Sequence, residues 1–476
     1  MQSALRRPVE QQIRGIWYEL YGLVSLQKVP VRLRIVPFPC CACVWRKLEG
    51  EGSLQLSRND GAVPAGGIAF DKNGNLYGAT TDGGSVSICQ NSWCGTVYQL
   101  SPGQKGWTET MLHVFQGYAQ GDGGAPAGGV ILDGDGNVYG TTAYGGTGNC
   151  NLLGSVVGCG TVYQMSPPLQ PGGNWTEAVI YSFQGGNDGY APGGDLVFDK
   201  AGNLYGATLY GGGGGSNSCD AFYEYCGTIF EVSPPKKKGG QWTEQVLYSF
   251  QNQGDGALPN GGLILDKNGV VYGTTYCGGS ASCSNLNGGN GTVFRLQPPK
   301  VEGRPWTFKV LYSFKGDPDG GYPAAGLAFG NGGRLYGTTQ FGGNCQSHLG
   351  TVFELIPPVK RGGAWKETLL YSFTGGNDGR EPKTSVVFDN KGNLDSTASG
   401  GGLYGNGTVF QLKPKAIQPD WTFDVLYTFN YSKGDGFIPT AGLVLRQAGS
   451  LYSATQGGGN GRGCRGGCGT VFEISP

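Results

Sequence analysis

The chain has 476 residues, and its 34 Lys plus Arg balance 34 Asp plus Glu, so the formal net charge is zero. With 14% charged residues and no basic excess, nothing is built to hold a phosphate backbone or an anionic lipid surface, which sets nucleic acid aside as a partner. Glycine is very abundant at 92 residues, yet it recurs in register with aromatic and β-branched runs, which marks turns rather than disorder.

Residues 1–44 belong to no repeat and read as a leader, either disordered or following a mis-assigned start codon. Arg32-Leu33-Arg34 precedes an apolar stretch, but two prolines and the cluster Cys40, Cys41 and Cys43 make it a poor signal peptide. No run is long enough for a transmembrane helix. The stretch from Trp45 to Leu56 then leads into Asp60-Gly61 and resembles the end of a strand with its exit loop.

From there one unit of about sixty residues recurs seven times, with copies starting near 61, 123, 189, 256, 320, 379 and 436. Tyr77, Tyr139, Tyr205, Tyr272, Tyr336 and Tyr452 key the register, and Asp395 fills the slot in the sixth copy. Each unit opens with a run such as Gly66-Gly67-Ile68-Ala69-Phe70-Asp71 and a turn over Lys72 to Asn75, whose residues tolerate positive φ and predict a hairpin. Leu76-Tyr77-Gly78-Ala79-Thr80 follows, then a Gly-rich loop, then Gly-Thr-Val-Tyr from Gly95. The unit closes on a stretch like Trp242 to Phe250. In the second copy Trp175, Glu177, Val179, Tyr181 and Phe183 alternate with Thr176, Ala178, Ile180 and Ser182, the period of a strand.

Four short strands cannot bury both faces of a sheet, and radial stacking of such sheets solves the problem. The units are long for the coils of an open β-solenoid. The reading is therefore an all-β chain, a seven-bladed β-propeller of four-stranded antiparallel blades spanning 45–476. The last copy ends after its third strand, so a strand near Trp45 to Leu56 is expected to complete the last blade and close the ring.

Features present in every copy are read as scaffold. The Asp-Gly steps at Asp60, Asp122, Asp188, Asp255, Asp319, Asp378 and Asp435 each precede a proline and read as turns joining blades, not a ring of metal or catalytic carboxylates. The Asp71-type turn lacks the remaining ligands of a calcium loop. Thr96, Thr161, Thr228, Thr292, Thr351, Thr408 and Thr470 should serve blade packing, and Trp107, Trp175, Trp242, Trp306, Trp365 and Trp421 should anchor the core. His113 replaces a fourth-strand tyrosine and His348 sits in a loop, each read as isolated. No catalytic residue, metal site or cofactor is expected.

The string Phe-Asp-Lys-Asn-Gly-Asn-Leu-Tyr-Gly, followed by Cys-Gly-Thr-Val, Ser-Pro and Trp-Thr-Glu, resembles the GloVer tandem repeat of Gloeobacter and Verrucomicrobia over about residues 60–476. That resemblance implies a bacterial extracytoplasmic protein without a settled activity. Such proteins carry various C-terminal sorting anchors; this chain departs from that pattern by ending at Pro476 directly after a repeat, with no hydrophobic tail, which puts surface anchoring in doubt. The Asp-x-x-Gly-Asn-Leu-Tyr segment is also similar to strand pairs of NHL-like propellers, an architectural likeness.

Ten of the 14 cysteines fall in pairs between strands two and three: Cys89/Cys94, Cys150/Cys159, Cys219/Cys226, Cys277/Cys283 and Cys464/Cys468. One pair per loop predicts local disulfides, hence a secreted or cell-surface protein. The fifth copy has Cys345 alone, with Leu349 in its partner's place, and the sixth has none. Strand parity puts these loops and the Asp-Gly turns on one rim. Function should sit where copies differ, so Trp93, Phe222, Tyr223 and Tyr225 in those loops are the candidate binding residues. The leading expectation is a monomeric module that binds carbohydrate or a protein partner. A structural or adhesive array is the second reading, and a polysaccharide hydrolase or lyase the third, since no unique acid cluster breaks the symmetry.

Overall fold

The computed structural model describes residues 56, 60–84, 94–104, 106–152, 155–170, 172–212, 226–237, 239–281, 283, 289–301, 303–343, 348–360, 362–415, 420–446, 449–459, 464 and 466–475. Among them the regular structure is β, interrupted by short 3₁₀ turns and no α-helix. The third blade shows the plan. Tyr190–Phe198, Leu204–Tyr210, Thr228–Ser233 and Thr243–Ser249 pair antiparallel in chain order. Seven such sheets form the propeller, from Ala62–Phe70 in the first blade to Thr470–Ile474, the third strand of the seventh.

First strands are bent or split at the Gly-Gly step. Register shifts fall between Ala65 and Ala69 and between Gly193 and Val197, the signature of a bulge. In the fourth, fifth and sixth blades only Ile264–Leu265, Ala328–Phe329 and Val387–Phe388 keep a regular ladder. The step is where neighbouring first strands crowd the axis: a Cβ on Gly129 would lie 2.3 Å from the Gly67 nitrogen. Only glycine lets the backbones approach so closely.

The hairpin between strands one and two is tied by its aspartate. Asp71 Oδ1 accepts the Asn73 and Asn75 amides at 2.8 and 2.9 Å, and Oδ2 accepts Asn75 Nδ2 at 2.8 Å. Asp133, Asp199 and Asp389 repeat the pattern. The oxygens that would face a calcium ion are already committed to the turn's own donors.

The core lies between blades. Tyr139, Val162 and Phe183 of the second blade pack with Leu196, Leu204, Phe230 and Val232 of the third. The fourth-strand tryptophans bridge the same way, edge to face on the preceding blade's key tyrosine: Tyr77 with Trp175 at 5.9 Å, Tyr139 with Trp242 at 6.1 Å, Tyr205 with Trp306 at 6.2 Å. Such pairs contribute about 0.5–1.5 kcal/mol beyond their buried area. The repeated threonines are buried, and six of the seven bond a second-strand threonine, as in Thr142–Thr161 at 2.8 Å and Thr208–Thr228 at 2.8 Å, while Thr408 faces Ala398.

The Asp-Gly-x-x-Pro segment is the seam itself. The residue before each proline is left-handed: Val63, Ala125, Ala191, Leu258, Tyr322, Glu381 and Ile438, with φ from 52° to 59°. That conformation is costly for a side-chain-bearing residue, and it aims the amide at the preceding blade. Ala191 N reaches Cys159 O at 2.9 Å, and Tyr322 N reaches Asn290 O at 2.8 Å. The proline then caps the preceding blade's Gly-Thr step, where a Cβ on Gly160 would stand 2.5 Å from Pro192 Cδ.

The seventh of these links closes the ring. Val63 N donates to Cys468 O at 2.9 Å, and Pro64 lies against Gly469. Phe70 and Trp107 of the first blade pack on Tyr452 of the seventh at 5.0 and 6.3 Å. Leu56 is fully buried with Ala62 and Cys468. The remainder of the expected closing strand, like the leader 1–44, lies outside the described residues.

Candidate functional site

The loops between strands two and three rest on the Asp-Gly turns, as parity requires. Gly146 N donates to Asp122 O at 2.8 Å, Gly212 N to Gly186 O at 2.7 Å, and Gly459 N to Asp435 O at 3.2 Å. Cys150–Cys159, Cys277–Cys283 and Cys464–Cys468 are disulfides. Cys94 and Cys226 are disulfide-bonded too, while Cys89 and Cys219, their expected partners, lie outside the described residues. Asn252 ties one clasp to its turn, exchanging bonds with the Cys283 amide and carbonyl at 2.6 and 2.9 Å. Trp93, Phe222, Tyr223, Tyr225 and Cys345 also fall outside the described residues.

An aromatic arc on the same rim was not anticipated. It occupies the loop-side ends of the first and second strands across the third, fourth and fifth blades. Tyr190 stacks on Tyr210 at 5.0 Å, Tyr276 meets Tyr322 at 5.2 Å, and Tyr322 meets Phe341 at 5.7 Å. Tyr210, Tyr276 and Tyr322 share one apolar cluster with Leu258 and the Cys277–Cys283 clasp, and each remains half-buried. Tyr276 donates to Gln340 Oε1 at 3.2 Å. Exposed Leu403 and Tyr404 in the cysteine-free loop, and Tyr118 and Tyr431 in two turns, extend the apolar surface of this rim.

The Asp-Gly carboxylates are structural at most seams. Asp188 Oδ2 accepts the Gln184 amide and its Oδ1 the Tyr181 hydroxyl at 3.0 Å. Asp255, Asp319, Asp378 and Asp435 hold Tyr248, Tyr312, Tyr371 and Tyr427 in the same way. A fourth-strand glutamate of the following blade adds a second carboxylate at several seams. Burial, and then the neighbouring Asp60, Asp188 or Asp319, push Glu109, Glu244 and Glu367 up to about 7. The Tyr181–Asp188–Glu244 seam lines a cleft of about 570 Å³. Where phenylalanine takes the glutamate's place the seam is sealed by stacking, Tyr248 on Phe308 at 4.0 Å and Tyr371 on Phe423 at 3.9 Å.

Two places break the symmetry with charge. At the axis, where the other copies have Gly67, Gly129, Gly262, Gly326, Ser385 and Gly442, the third has Asp195. Its Oδ1 accepts the amides of Gly129 at 2.6 Å and Gly67 at 3.3 Å, so it pins two other blades. The second place is His113, read from the sequence as isolated. Its Nε2 is 3.0 Å from Asp122 Oδ2, and Glu177 completes a three-residue cluster. His348 is also partnered, with Nδ1 2.8 Å from Asp317 Oδ2.

Scaffold and rim together define a seven-bladed β-propeller whose blades repeat and whose loop face does not. The chain belongs to the Gloeobacter/Verrucomicrobia repeat family, whose pattern matches residues 49–287 and 281–476. Comparison with curated protein sequences returns no match. Among solved structures, a candidate 6-phosphogluconolactonase from Bacteroides uniformis ATCC 8492 is similar at 14% identity and TM-score 0.45, over 75% of this chain and 84% of that one. The PQQ-bound aldose sugar dehydrogenase from Streptomyces coelicolor shares 14% identity at TM-score 0.38, over 89% and 97%. A candidate glucose dehydrogenase from Thermus thermophilus shares 14% at TM-score 0.41, over 88% and 98%. At these scores the likeness says nothing of what this chain binds.

Proposed function

We propose that this chain is an extracytoplasmic binding module whose loop rim recognises carbohydrate. The observation that carries the reading is the aromatic arc from Tyr190 to Phe341, which runs across the third, fourth and fifth blades and is built from positions where the copies differ. Half-buried, mutually packed tyrosines offer flat apolar faces to a sugar ring and hydroxyls at the edge, with little entropy lost on binding. Trp93, Phe222, Tyr223 and Tyr225 of the clasped loops are proposed as further contacts. The disulfides support an oxidising compartment.

A hydrolase is disfavoured. Glycoside hydrolysis uses two converging carboxyl groups. Among the described residues, seam pairs such as Asp188 with Glu244 recur from blade to blade with the aspartate bonded to the scaffold's own tyrosine and amide, and the axial Asp195 has Oδ1 committed to two amides. The test is a glycan array probed with the full chain, with hits measured by calorimetry. Saturable binding without turnover, weakened at least tenfold by Tyr276→Ala or Tyr322→Ala in folded protein, supports the reading. Absence of any glycan binding, or unchanged affinity in both variants, defeats it.

A further inference from the structure

The first seam differs from its neighbours by one residue with a change of chemistry. Tyr181, Tyr248, Tyr312, Tyr371 and Tyr427 each donate a hydroxyl proton to the seam aspartate. His113 occupies that place in the first blade and presents imidazole Nε2, 3.0 Å from Asp122 Oδ2. A neutral imidazole offers a lone pair that a phenol held as a donor does not.

The surroundings hold this constellation in place. Asp122 Oδ2 also accepts the Gln116 amide at 2.9 Å and Oδ1 the Gly123 amide at 2.6 Å, which fixes the carboxylate plane. The His113 ring rests edge-on against buried Phe115 at 4.9 Å. Glu177 enters from the next blade, and its Oε1 is shielded from solvent with no hydrogen-bond partner among the described residues. One ligand atom from each of the three lies within 4.8 Å of the others. His113 and Asp122 keep 19% and 11% of their side-chain surface accessible, so the cluster has an entrance.

We propose that His113, Asp122 and Glu177 form a binding site for a divalent transition-metal ion of the Zn²⁺ type at the seam between the first and second blades. One imidazole nitrogen and two carboxylates suit Zn²⁺ better than Ca²⁺ or Mg²⁺, which prefer all-oxygen sets. Two carboxylates also neutralise a divalent charge in a half-buried place. Zinc bonds of about 2.0–2.2 Å need the widest ligand pair to close by roughly 1 Å, within reach of a glutamate rotation. The ion takes the place of the direct His113–Asp122 contact and gives Glu177 Oε1 the partner it lacks among the described residues. The remaining coordination position faces the entrance and is left to water.

The test uses the full, oxidised chain with its thiols blocked, stripped by a chelator and then titrated with Zn²⁺ against a chromophoric competitor. Wild type takes up one Zn²⁺. His113→Tyr, which installs the residue other seams carry and so keeps the fold, weakens that binding at least tenfold, as does Glu177→Gln. Tyr181→His in the neighbouring seam, where Asp188 and Glu244 are already in place, adds a second Zn²⁺. Equal stoichiometry and affinity in wild type and His113→Tyr, or a wild type that takes no Zn²⁺ from the competitor, overturns the proposal.

Discussion

At the scale of single residues, the seams carry an unusual pair of carboxyl groups. Glu109 faces Asp60, Glu244 faces Asp188 and the Tyr181 hydroxyl, and Glu367 faces Asp319 and Lys315. Folding lifts these glutamates from the usual 4.5 to about 7, by burial first and by the neighbouring aspartate second. Between those values the folded chain holds protons that the unfolded chain has released. Their contribution to stability is therefore full below about pH 4.5 and is lost as pH rises through about 7. Thermal unfolding followed at pH 5 and pH 8 should show this loss in wild type, and a triple variant with Gln at 109, 244 and 367 should show a visibly smaller one. An equal drop in both proteins would mean that the glutamates are not the groups responsible. Residue scale is also where the sequence was least legible. His113, Asp122 and Glu177 come from two blades and one turn, so their meeting is invisible along the chain. Asp195 looks like one more variant of a Gly-Gly step until ring closure puts it on the axis. In that column of the repeat, otherwise glycine or serine, Asp195 is the one charged residue, and that is the signal the sequence carries for it.

At the scale of the strand and loop, legibility is high because each pattern occurs several times over. Alternation from Trp175 to Phe183 gave a strand whose observed span is Thr176–Ser182, and the Asp71-type turns close hairpins through their own amides. The threonine pairs had only half their partners named in advance, since Thr80, Thr142 and Thr208 sit in a column shared with Ala398. That alanine is the structural defect of the sixth blade: Thr408, buried, bonds Asp378 O at 3.1 Å but has no threonine opposite. Ala398→Thr should add about 0.5–1.5 kcal/mol, the usual worth of one buried hydrogen bond, read as a higher urea midpoint; a lower midpoint would show that the site cannot hold the extra atoms. Loops were legible through their cysteines but not through their surfaces. Tyr190, Tyr276 and Tyr322 occupy different columns of the repeat, so the arc they form exists only in three dimensions. Thiol titration of denatured, unreduced protein should find at most four reactive cysteines, Cys40, Cys41, Cys43 and Cys345; ten or more would remove the argument for an oxidising compartment.

At the scale of the whole molecule, symmetry and function separate. Seven seams built from the same left-handed position, the same proline and the same aspartate make a closed ring, and closure through Val63 and Cys468 spares the sheet from an open edge on which chains could aggregate. Because these features recur, they locate no ligand. The departures do: tyrosines gathered on the third to fifth blades, a carboxylate on the axis, a histidine at one seam. The central claim is that the aromatic arc is the binding surface, and a crystal structure of the full chain soaked with a sugar selected on the array tests it most directly. The account predicts the sugar ring lying on Tyr210, Tyr276 and Tyr322; a sugar bound instead on the opposite rim, beside exposed Leu169 and Val359, would contradict it.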